Sequence, residues 1–349
     1  MRIAQIAPLA ERVPPVKYGG TERVIHALTE ELVARGHEVT LFASGDSVTS
    51  AKLESVYPRS LRESKMQDLY GSNIWILRNI GRAFQQQDEF DIIHDHNAHL
   101  SLVTANISKR PVVMTLHGPL TTEIRPMFRE FRNPFLVSIS KAQTAPAPDL
   151  HWAGNVYNGL PLHTFPFSQN HDGYLLFVGR ISMEKGVHHA IDVAHYLDIP
   201  LVIAAKLDTM DRAYFRDYIK DRLSRRVKWI GEVTEQERNK LMSRAMAFLH
   251  PVTWREPFGL TMVEAMACGA PVIAFDRGSI SELVIDEKTG FIVRDTEEMI
   301  DAVLRVSNID RRECRRHALE NFNAKRMADK YEEIYRKILS GEINGKSFE

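Results

Sequence analysis

Short apolar runs rich in valine and isoleucine alternate with longer helical patterns through most of the chain. This alternation predicts βα units, in which parallel strands are joined by helices that cover the sheet. Residues 21–35 illustrate a helical pattern, because Val24, Leu28 and Leu32 fall on one stripe and Gly36 follows as the usual stop signal. The sequence therefore predicts an α/β protein with doubly wound parallel sheets.

The predicted strands form two sets, separated by a segment rich in proline and glycine at 146–166. At 349 residues the chain is long enough for two cores. We expect two Rossmann-like domains at 1–158 and 159–322, then a helical segment at 323–349 whose last residues, 341–349, fray. The predicted strands are 2–7, 38–43, 91–94, 111–117 and 135–139 in the first set, and 174–178, 201–205, 227–230, 247–250, 271–275 and 291–293 in the second.

Composition excludes several classes of protein. Lys+Arg and Asp+Glu both number 45, so no overall charge attracts nucleic acid or an anionic membrane. The two cysteines, Cys268 and Cys314, are too few for a disulfide scaffold, and we expect both to be buried thiols. No long apolar run or signal-peptide pattern is present, so we expect a soluble cytoplasmic protein. A helix at 73–84 with Ile74 and Arg78 allows peripheral membrane contact at most, and packing on its own sheet is favoured.

The most informative segment runs from residue 255 to residue 271. Gly259 allows close backbone approach, and Leu260 and Thr261 open a short helix whose free N–H groups suit a diphosphate. Glu256 lies before the helix and Glu264 on its second turn. This combination favours a nucleotide-sugar site, with Phe258 beside it. An alternative is that Thr261 and Glu264 form a capping box, in which Glu264 only satisfies a backbone donor.

Two cations follow the first predicted strand of the second half. Arg180 and Lys185 lie five positions apart, after a strand and Gly179 and before a helix. Arginine presents a planar fork to phosphate oxygens and lysine presents a point charge. This arrangement predicts a pyrophosphate clamp, with solvated surface charges as the alternative.

These segments together resemble the glycosyltransferase family 4 group, whose members have the GT-B fold. The resemblance is carried by the pair Glu256 and Glu264, by the Gly-Arg and Glu-Lys-Gly pattern at 179–186, and by Trp-Ile-Gly-Glu-Val at 229–233. It extends along nearly the whole chain. It implies two Rossmann-like domains facing across a cleft, and a last helix that crosses back to the first domain.

The resemblance also implies roles for individual residues. Arg180 and Lys185 would hold the diphosphate, and Glu256 would contact the donor sugar. Glu264 would take the ribose hydroxyls, and the loop containing Gly231 and Val233 would border the base.

The first half contributes strand-end loops of its own. Tyr18, Gly19 and Gly20 link the first strand to its helix, and the glycines give exposed N–H groups at a helix N-terminus. The Gly-x-Gly-x-x-Gly pattern of dinucleotide-binding enzymes is missing there, which argues against a dehydrogenase. In the resembling family this loop closes over the donor phosphate and acceptor. There a histidine placed like His117 faces the donor sugar.

Asp95 and His96 follow another strand, together with His94. Aspartate and histidine are competent metal ligands, but no complementary ligand cluster or Asp-x-Asp motif accompanies them. We therefore expect acceptor contacts or strand-end hydrogen bonds, with no metal or cofactor.

We expect a retaining, metal-independent glycosyltransferase that moves a sugar from a nucleoside-diphosphate sugar to a hydroxyl acceptor. From the resemblance, a UDP-sugar is the first expectation for the donor and GDP-mannose the next. The acceptor would be a sugar, a lipid-linked glycan or a small molecule, and nucleic acid is not expected as a partner. The alternatives are a sugar-nucleotide epimerase of GT-B fold and a non-catalytic subunit that binds nucleotide sugars.

Overall fold

The computed structural model describes residues 1–64 and 69–343, so the end of the predicted frayed tail, 344–349, lies outside the described residues. The chain divides into two compact units. Unit 1 comprises Met1–Leu160 and Ala324–Glu349, and unit 2 comprises Pro161–Asn323. The change of unit at residues 160–161 falls inside the segment rich in proline and glycine.

The described part of unit 1 contains a seven-stranded parallel sheet in the order β3-β2-β1-β4-β5-β6-β7. Its strands are β1 (Arg2–Ile6), β2 (Glu38–Phe42), β3 (Lys52–Glu54), β4 (Ile92–Asp95), β5 (Val112–Leu116), β6 (Phe135–Ser138) and β7 (Trp152–Asn155). The helices that follow them are α1 (Gly20–Ala34), α2 (Leu69–Gln85), α3 (Leu102–Asn106), α4 (Arg125–Glu130) and α5 (Lys141–Thr144).

The five strands predicted for the first half are confirmed, and two were missed. Strand β3 has only three residues, two of them charged, and so has no hydrophobic signal. Strand β7 contains Gly154 and lies in the segment that the prolines and glycines marked as a linker. A Cβ at Gly154 would lie 2.9 Å from Ile334 Cδ1, so here glycine serves close packing within unit 1 rather than a turn.

The described part of unit 2 contains a six-stranded parallel sheet in the order β10-β9-β8-β11-β12-β13. Its strands are β8 (Leu175–Arg180), β9 (Leu201–Lys206), β10 (Val227–Trp229), β11 (Ala247–His250), β12 (Val272–Phe275) and β13 (Gly290–Val293). Its helices are α6 (Val187–Leu197), α7 (Arg212–Tyr214), α8 (Glu235–Arg244), α9 (Leu260–Ala267), α10 (Ile280–Leu283), α11 (Thr296–Arg305) and α12 (Arg311–Asn321). The helical segment after β9 is irregular, because α7 continues as a π-helix at Phe215–Ile219 and then as a 3-10 turn.

Both sheets have the strand order of doubly wound folds, in which the order reverses beside the first strand. In unit 1 the reversal lies between β1 and β4, and in unit 2 it lies between β8 and β11. Loops that leave the carboxyl ends of these strand pairs diverge to opposite sides of the sheet and leave a crevice. The crevice of unit 1 is lined by His96 and His117 among other residues.

The last helix, α13 (Ala324–Leu339), belongs to unit 1 and packs against α1. Its Glu332 carboxylate lies 2.7 Å from His37 Nε2, and Arg35 lies 2.7 Å from Asp329. Tyr331 and Tyr335, one turn apart, are both fully buried. The predicted terminal helix therefore completes the core of the first unit.

Helix α2 packs on the sheet of unit 1 through Ile80, Ala83 and Phe84, which are buried. Ile74 and Leu77 on the same helix are more than half exposed. Across the described residues, no helix combines the length and the apolar character needed to span a bilayer.

One turn in unit 2 fixes the segment that contains Glu256. The backbone of Gly278 pairs with that of Glu256, and Ser279 N–H donates to the Glu256 carbonyl at 3.0 Å. Ser279 Oγ also donates to the Phe258 carbonyl at 2.7 Å. Gly278 has φ +70°, and a Cβ there would lie 2.6 Å from the Glu256 backbone nitrogen. This position therefore needs glycine both for its conformation and for the space.

We expect Gly278→Ala to destabilise the protein more than Gly173→Ala does. Gly173 has φ +75° but nothing within 4 Å of an added Cβ, so the control carries the backbone strain alone, about 1–2 kcal/mol. The clash with backbone should add about 2 kcal/mol or more at Gly278. Urea denaturation followed by circular dichroism measures the difference. An equal loss of unfolding free energy in the two variants would show that Gly278 is not in tight contact with the Glu256 segment.

Candidate functional site

The loops that follow β8 and β11 meet in unit 2. After β8, a 3-10 turn at Met183–Lys185 leads to Gly186, which has φ +69°. A Cβ on Gly186 would collide with the carbonyl of Pro251, in the loop after β11. Thr253 N–H also donates to the Glu184 carbonyl at 2.9 Å. These contacts bring Lys185 and Glu256, 71 residues apart in the sequence, to the same place.

Lys185 and Glu256 form an ion pair, with Nζ 2.6 Å from Oε2. Trp254 Nε1 donates to the same carboxylate at 3.0 Å, and the Lys185 ammonium lies 4.8 Å from the centre of the Trp254 ring. His250 Nε2 lies 3.8 Å from Glu256 Oε2. Glu256 is buried, at 8% exposure. A buried carboxylate of this kind stays ionised only when charged and hydrogen-bonding partners surround it.

Charged partners keep Glu256 ionised, and burial keeps His250 neutral. Burial alone would raise the pKa of Glu256, but Lys185 and the other partners more than offset it and hold the pKa below its usual range. Burial lowers the pKa of His250 to about 4. The group at neutral pH is thus one ammonium, one carboxylate and one neutral imidazole.

Helix α9 begins directly beside this group. Gly259 is its N-cap with φ +90°, and no described side chain caps the helix. A Cβ on Gly259 would collide with the end of Met262 and would lie 3.5 Å from Glu256 Cγ. Leu260 and Thr261 form the first turn, as predicted. A helix N-terminus with free N–H groups is suited to an anion.

The capping-box interpretation of Thr261 and Glu264 is wrong, since the cap of α9 is Gly259. A capping box does occur in unit 2, but at Thr234 and Glu237 of helix α8. Glu264 is fully buried, and its Oε1 lies 3.2 Å from Arg238 Nη2 on α8.

The other residues predicted at the donor site have varied surroundings. Arg180 contacts the carboxylates of Glu184 and Asp211, so each of the two predicted cations already has an acidic partner. Gly231 has φ +79° and open space around it, and Val233 lies just before α8. The Phe258 side chain is 2% exposed and packs edge-on against Phe322, so it is a core side chain rather than a ligand-facing one.

In unit 1, a chain of buried hydrogen bonds links His117 to helix α13. His117 Nε2 lies 2.9 Å from His96 Nδ1, and His96 Nε2 lies 2.7 Å from Gln5 Oε1. Gln5 Nε2 lies 3.4 Å from His94 Nδ1, which also meets the Tyr335 hydroxyl at 2.6 Å. His94 Nε2 meets Thr115 Oγ1 at 2.7 Å, and Thr115 meets the Tyr331 hydroxyl at 2.8 Å.

These hydrogen bonds determine which ring nitrogens of His96 and His117 carry protons. Because Gln5 Oε1 is only an acceptor, His96 Nε2 carries a proton and donates it, which leaves His96 Nδ1 as an acceptor. His117 must then donate from Nε2, and its Nδ1 is left as an acceptor. Burial lowers the pKa of His117 to about 4 and that of His96 well below its usual value. All of these rings are therefore neutral at pH 7.

Asp95 forms the strand-end hydrogen bonds that were one of its two predicted roles. It is fully buried and accepts from the Ser101 hydroxyl, the Asn97 backbone at 2.9 Å and the Asn97 side chain at 3.0 Å. Burial raises its pKa to about 6, although these bonds lower it in part. In the described residues, no three His, Cys, Asp or Glu side chains are grouped so that they could hold a metal ion.

The glycine-rich loop after β1 leads into α1. Gly19 has φ +144°, and a Cβ there would lie 2.8 Å from Pro15 and 3.0 Å from Glu22 Oε2. Gly20 is the first residue of the helix, and Tyr18 is 44% exposed. The close approach of Gly19 to Pro15 and Glu22 explains why this position is glycine.

Comparison with known proteins matches each half of the chain to a family model. Residues 18–153 match the family model described as Glycosyltransferase Family 4, and residues 164–326 match the model described as Glycosyl transferases group 1. The two matches together span most of the chain. The chain belongs to the family 4 glycosyltransferases.

Individual relatives and structures support this assignment. A glycogen synthase from Mycobacterium tuberculosis is 26% identical over 79% of this chain and 79% of its own length. The crystal structure of AviGT4, a glycosyltransferase involved in avilamycin A biosynthesis, is 25% identical, with a TM-score of 0.75 over 97% of this chain and 98% of that one. The structure of Anabaena HepE in complex with UDP and glucose is 19% identical, with a TM-score of 0.74 over 97% of this chain and 100% of that one. This glycosyltransferase therefore has the GT-B fold, and the comparisons give the epimerase alternative no support.

Several residues around the glycosyltransferase sites were not found from the sequence. In unit 2 these are His250, Trp254, Gly278 and Ser279, which lie in strand-end loops or at a strand end without a motif of their own. In unit 1 they are Gln5 and Thr115, which are polar residues within otherwise apolar strands. Gln5 pairs in register with His94, which the sequence had already singled out. That pattern was a usable signal of a buried polar network, because buried polar groups need partners.

The Lys185–Glu256 pair is expected to show strong coupling in unfolding experiments. Lys185→Met leaves a buried carboxylate without its cation and should cost about 3 kcal/mol. The double variant Lys185→Met/Glu256→Gln should lose less free energy of unfolding than the two single variants lose in sum. As a control, Lys330→Met removes a lysine from an exposed pair with Glu333 and should cost about 0.5 kcal/mol or less. If the losses of unfolding free energy in the two single variants are additive, Lys185 and Glu256 are not in direct contact.

The hydrogen bonds of His117 and His96 predict the protonation state and the tautomer of the His117 ring in solution. Nitrogen-15 NMR should show a neutral ring protonated on Nε2, with no titration above about pH 5 because its pKa is about 4. In His96→Phe the acceptor is gone, and the ring should become a mixture of tautomers. His163→Phe, an exposed control, should leave the His117 signals unchanged. A proton fixed on Nδ1 in the unsubstituted protein would contradict the assignment.

Proposed function

We propose that this glycosyltransferase transfers a sugar, with retention of anomeric configuration and without a metal, from a nucleoside-diphosphate sugar to a hydroxyl acceptor. A UDP-sugar is the first candidate for the donor and GDP-mannose the second. The donor binds in unit 2, at the group formed by Lys185, Glu256 and the start of α9. The acceptor binds in unit 1.

The observation that carries the proposal is the ion pair of Lys185 and Glu256 beside the uncapped N-terminus of α9. A diphosphate placed there receives backbone N–H groups from the helix and an ammonium from Lys185. Lys185 then exchanges its partner, Glu256, for a phosphate oxygen. Arg180 makes the same exchange from Glu184 and Asp211, and its planar fork suits phosphate.

Once Lys185 has moved to the phosphate, Glu256 accepts hydrogen bonds from hydroxyls of the donor sugar. The hydrogen bond from Trp254 holds the carboxylate in place, so it is oriented before the sugar arrives. The backbone of Leu260 and Thr261 serves the diphosphate. The nucleoside end is served by Glu264 and by the loop with Gly231 and Val233. In unit 1, the glycine-rich loop at Gly19 and Gly20 serves the acceptor.

Retention is proposed to follow a front-face route. The bond between the anomeric carbon and the diphosphate oxygen breaks, the acceptor oxygen bonds to the same face, and its proton passes to the leaving phosphate oxygen. Double displacement would need a carboxylate nucleophile instead. Asp95 of unit 1 is fully buried and hydrogen-bonded to Ser101 and Asn97, so it is a poor nucleophile, which supports the front-face route.

The nucleotide of the donor is proposed by likeness. HepE, which resembles this chain in fold, was crystallised with UDP and glucose, and this supports UDP as the first nucleotide to test. The cations Arg180 and Lys185 supply positive charge beside the leaving group, so we expect transfer to persist in EDTA.

Glu256→Gln should lower sugar transfer by about 100-fold or more, because an oriented charge at the reacting sugar is lost. UDP affinity should change by less than about threefold, within about 0.7 kcal/mol. Transfer is followed by release of the nucleoside diphosphate with a panel of UDP- and GDP-sugars, with and without acceptors, and binding by calorimetry. Glu297→Gln, an exposed carboxylate on α11, is the control.

Loss of both transfer and UDP binding in Glu256→Gln would remove Glu256 from its proposed role. Donor consumption without acceptor, yielding an isomerised nucleotide sugar, would contradict transfer. Binding of nucleotide sugars without any turnover would indicate a non-catalytic protein. An inverted anomeric centre in the product, read from proton NMR couplings, would contradict retention.

A further inference from the structure

A second crevice lies wholly within unit 1, at the reversal of strand order between β1 and β4. It is a cavity of about 410 Å³ formed by the loops after β1, β4 and β5 and by helices α1, α2 and α4. His117 and Glu22 both line it. This volume falls within the range of about 300–1,000 Å³ typical of small-molecule sites.

Most of the cavity wall is apolar. It includes residues from the loop after β1, from α2, from the segment after β5 and from α4, among them Pro8, Ile76, Leu100, Leu116, Leu120 and Phe128. Leu116, Leu120 and Phe128 are part of the hydrophobic core of unit 1. Burying a molecule rich in hydroxyls against such a wall would leave most of its polar groups without partners, which is costly. The wall instead favours an apolar body.

Polar side chains interrupt this wall, and they include the hydrogen-bond acceptors of His117 and Glu22. His117 donates its Nε2 proton to His96, so its Nδ1 is left to accept. Glu22, in the first turn of α1, is 6% exposed, and its carboxylate lies close to the Gly19 backbone. Burial raises the pKa of Glu22 to about 7. Two acceptors in an apolar wall suit a ligand that brings a hydroxyl as a donor.

We propose that this cavity binds the acceptor of the transfer reaction as an alcohol or phenol with an apolar body, and that Glu22 receives the hydrogen bond of its hydroxyl. The inference rests on the proposed function, since it names the class of acceptor for the same reaction. The apolar body contacts Leu100, Leu120 and Phe128, while the hydroxyl lies toward Glu22 and His117. Polar sugars are poor ligands for the cavity.

Direct binding without any donor tests the cavity first. Isothermal titration calorimetry should show that 4-propylphenol binds the full-length protein at least about tenfold more tightly than glucose, because apolar surface is buried. The methyl ether of 4-propylphenol, which has no hydroxyl donor, should bind about tenfold more weakly than the phenol. Equal binding of glucose and the phenol, or no binding of the phenol, would overturn the inference.

Two variants, one inside and one outside the cavity, test where the phenol binds. Leu100 lines the cavity and is 38% exposed, whereas Leu77 on α2 is 53% exposed and lies outside it. Leu100→Asp should weaken binding of the phenol by about tenfold or more, because it places a charge in the apolar wall. Leu77→Asp should leave binding unchanged. The same loss in both variants, or in neither, would place the phenol elsewhere and overturn the inference.

Glu22→Met tests the hydroxyl contact, since it removes the carboxylate while nearly keeping the side-chain length. Binding of 4-propylphenol should fall about tenfold, and binding of its methyl ether should stay the same. An equal loss for both ligands would show that Glu22 acts only by shaping the cavity and would overturn its assignment. Circular dichroism confirms that each variant is folded before binding is measured.

The transfer assay separates this inference from the function on which it rests. Transfer to 4-propylphenol but not to glucose supports both. Transfer to glucose, with no binding of the phenol, overturns the acceptor class and leaves the proposed function standing. Binding of the phenol that depends on Leu100, with no transfer from any donor to any acceptor, overturns the proposed function and the role of the cavity as an acceptor site.

Discussion

The meeting of Lys185 with Glu256 is the interaction on which this account depends. It requires two loops from strands that are adjacent in the sheet but distant in sequence, and the reversal of strand order between β8 and β11 supplies them. Two close approaches fix the loops, one of Gly186 to Pro251 and one of Gly278 to Glu256. The result is a charged pair held beside a helix N-terminus before any ligand is bound. In the proposed reaction, the change that a diphosphate requires is the exchange of the carboxylate partner of Lys185 for a phosphate oxygen.

Unit 1 uses the same topology with different chemistry. Its crevice at the reversal between β1 and β4 is lined by the neutral rings of His96 and His117, by the buried Glu22 and by many apolar side chains. The buried chain from His117 through His96, Gln5 and His94 reaches Tyr335 on α13. The last helix therefore contributes hydroxyl groups to the support of the site as well as apolar surface to the core. This link gives a physical reason why the chain returns to its first unit at the end.

Much of the fold followed from periodicity, and the misses have physical causes. Strands buried on both faces are continuous apolar runs and were found, whereas β3 is short and polar and β7 contains a glycine that serves packing. At the site, Gly259, Lys185 and Glu256 were recognised because each has a distinctive chemical role within a motif. Trp254, His250 and Gly278 were missed because their roles depend on tertiary contacts. Phe258 was named as a donor-site residue, and the structure shows its side chain packed against Phe322 in the core, since a motif position does not reveal which way a side chain points.

A crystal structure of the protein with UDP tests the central claim most directly. The account predicts that the diphosphate lies at the first turn of α9 beside Gly259, and that Lys185 Nζ has left Glu256, now 2.6 Å away, for a phosphate oxygen. Glu256 should keep its contact with Trp254. UDP bound at another place, or bound beside Gly259 with the Lys185–Glu256 pair still intact, would contradict the account.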